Sequence, residues 1–332
     1  MNERWLQVLQ SAGAVFTNGR VTHFADARKL DGNAALCDLS HYGVIKVSGE
    51  EAAKFLQAQL TNDVVALSVG QAQWNGWCSP KGRLLVTFLI WRSDAHYFLL
   101  LQKSIQQTIQ KRLSLFVLRS KVTLEDVSDG WQRMGMLADD NSSIPLPSNL
   151  MQSEANKLGV VIRLSNQRTL IFAETETAIS TWQTLSTTIS RVGGNDWDLA
   201  GIRDGIIDIS VETQDAYVPQ MVNFELIGGV NFKKGCYPGQ EIVARTQYRG
   251  ILKRRMVRVT FAADNLPIVG TPLYSPAFAE QAAGTIALAA KNGTMVEALV
   301  VAQIDAITSN SLYLDAALTH QLNLLDLPYP VL

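Results

Sequence analysis

The stretch Asn231–Gly250, NFKKGCYPGQEIVARTQYRG, gathers residue types that together can activate a thiol. Cys236 lies between Gly235 and Gly239, follows Lys233 and Lys234, and precedes Arg245 and Arg249. The thiolate is the nucleophilic form of cysteine, and nearby cations lower its ordinary pKa of about 8.5 by stabilising that form. The glycines permit a tight, exposed backbone around the sulfur, and Pro238 stiffens it. If QEIVARTQYR is helical, Arg245 and Arg249 stand one turn apart on a common face. Cys236 is then a reactive thiol assisted by Lys234 and Arg245. The opposing expectation is that free cysteines are mostly buried small hydrophobes. The spacing alone leaves both open. Cys37 follows Leu36 and Cys78 follows Trp77, apolar settings that favour the inert neutral thiol.

Other chemistries find little support. The three cysteines form no CxxC pair and no even disulfide framework, which suits a reducing compartment. The four histidines are scattered, so a metal site made of local ligands is not expected. No phosphate-binding glycine loop and no GxSxG nucleophile elbow occurs. The net charge of −1 excludes a global field for nucleic acid, but its distribution is uneven. Lys233, Lys234, Arg245, Arg249, Lys253, Arg254, Arg255 and Arg258 face one acid, Glu241. Even spreading of the 29 cations would put about two in that span. Such a run is either a solvated face or a docking surface for a polyanion, a polyglutamylated cofactor or an RNA backbone. The opening MNERWLQVLQSAGAV lacks a secretory signal, and no run approaches the roughly 20 apolar residues needed to span a bilayer. A cytoplasmic protein without a membrane partner is expected.

The elements that must position Cys236 are legible in part. AALCDLSHYGVIKVSG reads as a strand and turn, and Ser48 with Glu51 forms a capping-box pattern ahead of a helix carrying Phe55, Leu56 and Leu60. GRLLVTFLIW and AHYFLLL read as strands, SIQQTIQKRLSLFV as a helix, and KVTLEDV as a strand. That is a ferredoxin-like order. The middle holds a Ser/Pro/Asn-rich loop, NSSIPLPSN, then strands GVVIRL and TLIFAE, and a helix carrying Trp182, Leu185 and Ile189 that stops at Gly193-Gly194. From Lys253 the pattern changes to strands only, RRMVRVTF, GTIALAA, MVEALVVAQI and SLYL, which predicts a small β-barrel.

Lys234-Gly235-Cys236-Tyr237-Pro238-Gly239-Gln240-Glu241 matches K-G-C-Y-x-G-Q-E, and YVPQMVNFELIGGVNF matches an upstream P-Q-x-x-N-x-x-x-x-G-G-x-x-F approach. With FLQAQLTNDV and SPKGR in N-terminal positions, the chain resembles the YgfZ family from about Leu36 to Arg255. These are folate-binding proteins related to the T-protein aminomethyltransferase of glycine cleavage. The resemblance implies an α+β, T-protein-like, multi-domain ring with ferredoxin-like units and a C-terminal small β-barrel. Its implied domains are residues 1–128 with 196–250 for folate, 129–195 as a second α+β domain, and 251–332 as the barrel. It implies tetrahydrofolate or a derivative as cofactor, contacted by Tyr42, Trp197, Tyr237, Gln240 and Glu241. Tyr42 stands where the family has a tryptophan, and keeps a ring able to stack on a pterin.

Members are linked to maintenance of iron–sulfur enzymes and, through them, to tRNA modification such as methylthiolation. Reduced folate and iron–sulfur tRNA-modifying enzymes are therefore the expected partners. The transferase relatives carry an acidic pair shortly after a Gly-Gly turn, where this chain reads Lys81-Gly82-Arg83-Leu84-Leu85-Val86. Without a carboxylate to orient an amine and manage its proton, one-carbon transfer is the weaker expectation. An RNA-binding module that uses the basic segment is the third.

Overall fold

The computed structural model describes residues 1–25, 34–94, 96–138, 144, 146–279 and 281–331. They form two compact units. One comprises residues 1–56, 64–73 and 88–200; the other comprises 57–63, 74–87 and 201–332.

The first unit opens with α1 (Glu3–Ser11), capped by the Asn2 side chain, which accepts from the backbone N–H groups of Arg4 and Trp5. A hairpin of β1 (Ala14–Thr17) and β2 (Arg20–Phe24) follows. AALCDLSHYGVIKVSG is not one strand but two, β3 (Ala34–Asp38) and β4 (Tyr42–Ser48), which enter different sheets. The chain then forms α2 (Ala52–Gln59), β5 (Ala72–Cys78), β6 (Leu84–Ser93), β7 (His96–Gln102), α3 (Lys103–Ser114) and β8 (Thr123–Asp126). The sheet order is β5-β6-β7-β4-β8. Without β5 this is the ferredoxin-like arrangement expected. β5 reads AQWNGWC, whose Asn75 and Gly76 hide the strand. The α2 helix is present but its capping box is not. Glu51 instead accepts from the Lys121 backbone N–H at 2.8 Å.

A second sheet contains β9 (Trp131–Ala138), β10 (Ser153–Asn156), β11 (Gly159–Arg163) and β12 (Arg168–Glu174). After α4 (Thr175–Leu185), β13 (Ser190–Val192) pairs parallel to β3, and α5 (Gly194–Asp204) follows. The order is β10-β11-β12-β9-β3-β13. Residues 141–143 and 145 of the expected NSSIPLPSN loop lie outside the described residues. The α4 helix stops before Ile189 because Ser186 and Thr187 turn their hydroxyls back onto the carbonyls of Gln183 and Thr184. Gly194 starts a helix instead of ending one.

β12 is buried on both faces. Ile171 and Ala173 pack with Trp5, Met134, Met136 and Trp182 beneath α1 and α4. On the opposite face Phe172 stacks on Trp131 at 4.7 Å and meets Trp91 edge-on at 4.8 Å and Phe98 at 5.2 Å. These four rings join the two sheets.

In the second unit α6 (Gln240–Tyr248) precedes β14 (Arg254–Ala262), β15 (Pro272–Leu273), β16 (Gly284–Asn292), β17 (Met295–Gln303), α7 (Ile304–Thr308) and β18 (Asn323–Leu325). The strands order as β15-β16-β17-β14-β18. SLYL is not a full strand. Its Tyr313 bridges Tyr274 beyond β15 and Gln321 before β18, which links the two edges of the sheet in the manner of a small barrel. Among the described residues no helix is long and apolar enough to cross a membrane.

Phe172→Ala should cost about 3–5 kcal/mol in urea unfolding, because three aromatic neighbours lose their common partner. A loss below about 1 kcal/mol would contradict the role given to this cluster.

Candidate functional site

Three stretches far apart in sequence converge on Cys236, all within the second unit. The first is a strap over residues 57–63. Thr61 Oγ1 donates to Gly229 O at 2.6 Å, Asn62 Nδ2 donates to Gly228 O at 2.7 Å, and Asn231 N donates to Thr61 O at 3.0 Å. Asn231 then orders the next residues through an Asx turn, its Oδ1 accepting from the N–H groups of Lys233 and Lys234. The second is the tight turn Ser79–Arg83, closed by Gly82 N donating to Ser79 O at 2.8 Å and Ser79 N donating to Arg83 O at 2.8 Å. The third is the Cys236 loop itself, which runs into α6 at Gly239.

Gly82 and Gly239 let the second and third stretches touch. Both have positive φ, 71° and 78°. A Cβ on Gly239 would fall 2.7 Å from Gly82 Cα and closer still to Ser79 O, and one on Gly82 would lie 2.8 Å from Ile242 Cβ. The pairing leaves room for no side chain at either position. Below it, Gln220 Nε2 donates to Val243 O at 2.8 Å, and Arg255 donates to Gln220 O at 2.7 Å and pairs with Glu225 at 2.6 Å.

Lys234 lies within electrostatic reach of the Cys236 sulfur, but its ammonium is not at the surface. It is only 8 % exposed and points inward. Its ammonium donates to the carbonyls of Gln57 and Leu60 at the C-terminal end of α2, and lies 5.1 Å over the Tyr237 ring. Burial lowers its pKa to about 8, while Asp63 and Cys236 pull the other way. Tyr237 is buried, and burial raises its phenol further above the usual range. Cys236 is exposed, whereas Cys37 and Cys78 are buried. Burial and the Asp215 carboxylate push the Cys78 thiol up to about 12; burial, then Asp38, pushes Cys37 higher.

Gln240 is half-buried and Glu241 exposed at the first turn of α6, with Arg245 exposed one turn on. Cys236, Lys234, Tyr237, Gln240, Glu241 and Arg245 are thus brought onto one loop and helix. Tyr42 and Trp197 belong to the first unit. Tyr42 is 5 % exposed, with its ring 4.6 Å from that of His41. Trp197, 2 % exposed, carries the Arg168 guanidinium 5.0 Å over its ring and packs against Gly135, where a Cβ would lie 2.6 Å from the indole. The Ser79–Arg83 turn presents Lys81 and Arg83 at the surface. The carboxylate it touches, Asp215, is held by Ser79 Oγ at 2.7 Å. Among the described residues no cluster of His, Cys, Asp and Glu could hold a metal ion. Thr61, Asn62, Gln220 and Asn231 were not singled out by residue type, although all four lie in the stretches that carry the resemblance.

The GCVT N-terminal domain family matches residues 17–137. The chain is 32% identical to the tRNA-modifying protein YgfZ of Photobacterium profundum, over 72% of this chain and 74% of that protein. It is 34% identical to the YgfZ of Colwellia psychrerythraea, over 67% and 70%. The chain belongs to the YgfZ family of tRNA-modifying proteins. Its fold is that of the glycine cleavage aminomethyltransferase T of Bartonella henselae, with a TM-score of 0.81 at 15% identity over 99% of this chain and 97% of that one. In this chain the motif residues Lys234 and Tyr237 are buried and Gly239 is held in a close backbone approach, while Cys236 is exposed.

The Lys234 amine sets a pH dependence. Between its folded value of about 8 and the ordinary 10.5, the unfolded chain holds a proton that the folded chain has released. This group therefore adds stability as pH rises through that window, and its burial cost is fully present below pH 8. Urea unfolding at pH 7 to 10 should show the stability of the wild type relative to Lys234→Met rising with pH. A falling difference would contradict the buried amine.

Proposed function

We propose that this protein is a folate-binding accessory factor that sustains iron–sulfur enzymes of tRNA modification, methylthiolation among them, through the thiol of Cys236. The observation that carries this is the contrast between Cys236 and its surroundings. Lys234 is pinned by buried hydrogen bonds, Tyr237 is buried and Gly239 is fixed by a close backbone approach, whereas the thiol between them is left facing solvent. A rigid frame around an exposed thiol serves a group that must meet a partner in a fixed pose. Lys234 holds the loop to α2, Tyr237 fills the space beneath, and Gly239 sets the start of α6. Arg245 contributes positive potential from the same helix.

A reduced folate, when bound, supplies a carrier for one-carbon units. Its pterin presents an amide and an amino group that suit a carboxylate and a carboxamide. Glu241 and Gln240 have those groups, and neither makes a side-chain bond among the described residues. Tyr42 and Trp197 would have to be uncovered before a pterin could stack on them, since both are nearly fully buried. Direct one-carbon transfer is the weaker alternative, because the Ser79–Arg83 turn offers cations in place of acids. Three free thiols fit a cytoplasmic setting.

A strain deleted for this protein should lose tRNA methylthiolation, measured by mass spectrometry of tRNA digests. The wild-type chain should restore it, and Cys236→Ala should restore less than a tenth. Unchanged modification in the deletion strain would remove the functional assignment, and full rescue by Cys236→Ala would remove the thiol.

A further inference from the structure

Apart from the half-buried Arg254, the basic run between Lys233 and Arg258 divides in the folded protein into two populations. Lys234, Arg255 and Arg258 are consumed internally by the Gln57 and Leu60 carbonyls, by Glu225 and by the buried Glu297 respectively. Lys233, Arg245, Arg249 and Lys253 are exposed, and among the described residues none is paired with a carboxylate. Ion pairing within the fold thus explains part of the run and leaves the rest directed at solvent.

The unpaired part contains an aromatic. Tyr248, the last residue of α6 and three residues after Arg245 on the same helix face, is 69 % exposed, and Arg249 follows it at the C-cap. Its ring meets Phe232 at 5.8 Å and 70°, so it is held upright against the Cys236 loop. An exposed tyrosine braced by a second ring, on a helix end that also carries Arg245 and runs into Arg249, offers a base a flat face beside exposed cations.

We propose that the exposed face at the C-terminal end of α6, together with Lys233 and Lys253, is a landing surface for an unpaired segment of RNA. The proposal rests on the tRNA-modification reading above and names the partner of the same loop. Phosphates attract the four cations, and a base stacks on Tyr248. Unpaired RNA fits better than a duplex, because a paired helix buries the base faces that an aromatic side chain would use. It also fits better than a protein surface, whose interface cores are depleted in lysine. Arg245 and Arg249 offset the dipole at the helix end as well, but that role asks nothing of Lys233, Lys253 or Tyr248.

The test is fluorescence-anisotropy binding of the full chain to a labelled unpaired RNA oligonucleotide, to the matching duplex and to bulk tRNA, over a potassium chloride series. The variants are Lys233→Glu/Arg249→Glu/Lys253→Glu, Tyr248→Ala, and Lys111→Glu/Lys157→Glu as a charge control on the other unit. All the substituted residues are exposed, so melting temperatures should stay near that of the wild type. The wild type should bind the oligonucleotide more tightly than the duplex. The triple variant should bind it at least about tenfold more weakly in 0.1 M salt, with a log–log salt slope shallower by about two, at roughly 0.7 per phosphate contact. Tyr248→Ala should lose at least about fivefold, the lower end of base–aromatic stacking.

Unaltered binding by the triple variant, equal loss in the charge control, preference for the duplex, or equal competition by polyglutamate would each overturn the RNA surface. A wild-type chain that restores methylthiolation in the deletion strain yet binds no RNA removes this surface and leaves the functional reading intact. Binding that follows the variants in a protein whose deletion leaves tRNA unchanged keeps the surface and removes that reading.

Discussion

Two left-handed glycines, Gly82 and Gly239, allow two loops to meet backbone to backbone, and the placement of Cys236 follows from that approach. An L-residue pays for positive φ at either site, by about 1–3 kcal/mol, and here the missing Cβ is also the space the partner loop occupies. The Ser79–Arg83 turn is thereby a die against which the Cys236 loop is shaped. Hydrogen bonds from the 57–63 strap fix the upstream side of the same loop. Between these two supports the chain has little freedom, and Gly235, with no neighbour close to where a Cβ would stand, is left at the surface beside the thiol.

Lys234 shows how the frame is kept closed. Its ammonium caps carbonyls that the end of α2 leaves without helical partners, and it rests over the ring of Tyr237. A buried charge of this kind is tolerated because hydrogen bonds replace water, and its lowered pKa records what desolvation still costs. The motif cation that the sequence sets beside the sulfur thus acts on the backbone under the loop.

The fold was legible where the pattern was strong. The alternation in β4, the apolar β-rich runs of β6 and β7 and the apolar stripe of α3 led to the ferredoxin-like arrangement, and the strand run after Lys253 led to the barrel-like sheet. β5 was not legible, because Asn75 and Gly76 break the apolar pattern that marks a strand. α4 was drawn too long, because the hydroxyl-to-carbonyl bonds of Ser186 and Thr187 do not show in apolar periodicity. At the site, residue types identified Cys236 and its basic surroundings. They could not show that Lys234 turns inward, since direction depends on a helix end 174 residues away. Nor could they separate Arg255 and Arg258, bound by Glu225 and Glu297, from Arg249, which pairs with no carboxylate among the described residues.

The most direct measurement of the central constraint is tRNA methylthiolation in the deletion strain carrying Gly239→Ala, with the amount of protein in the cell followed in parallel. That variant keeps the thiol, the lysines and the arginines and alters only the left-handed backbone at Gly239 and the space between the two loops. The account predicts modification at a small fraction of the wild-type level while folded protein is still present. Wild-type modification from a folded Gly239→Ala protein would contradict it, and would show that the thiol works without the backbone frame described here.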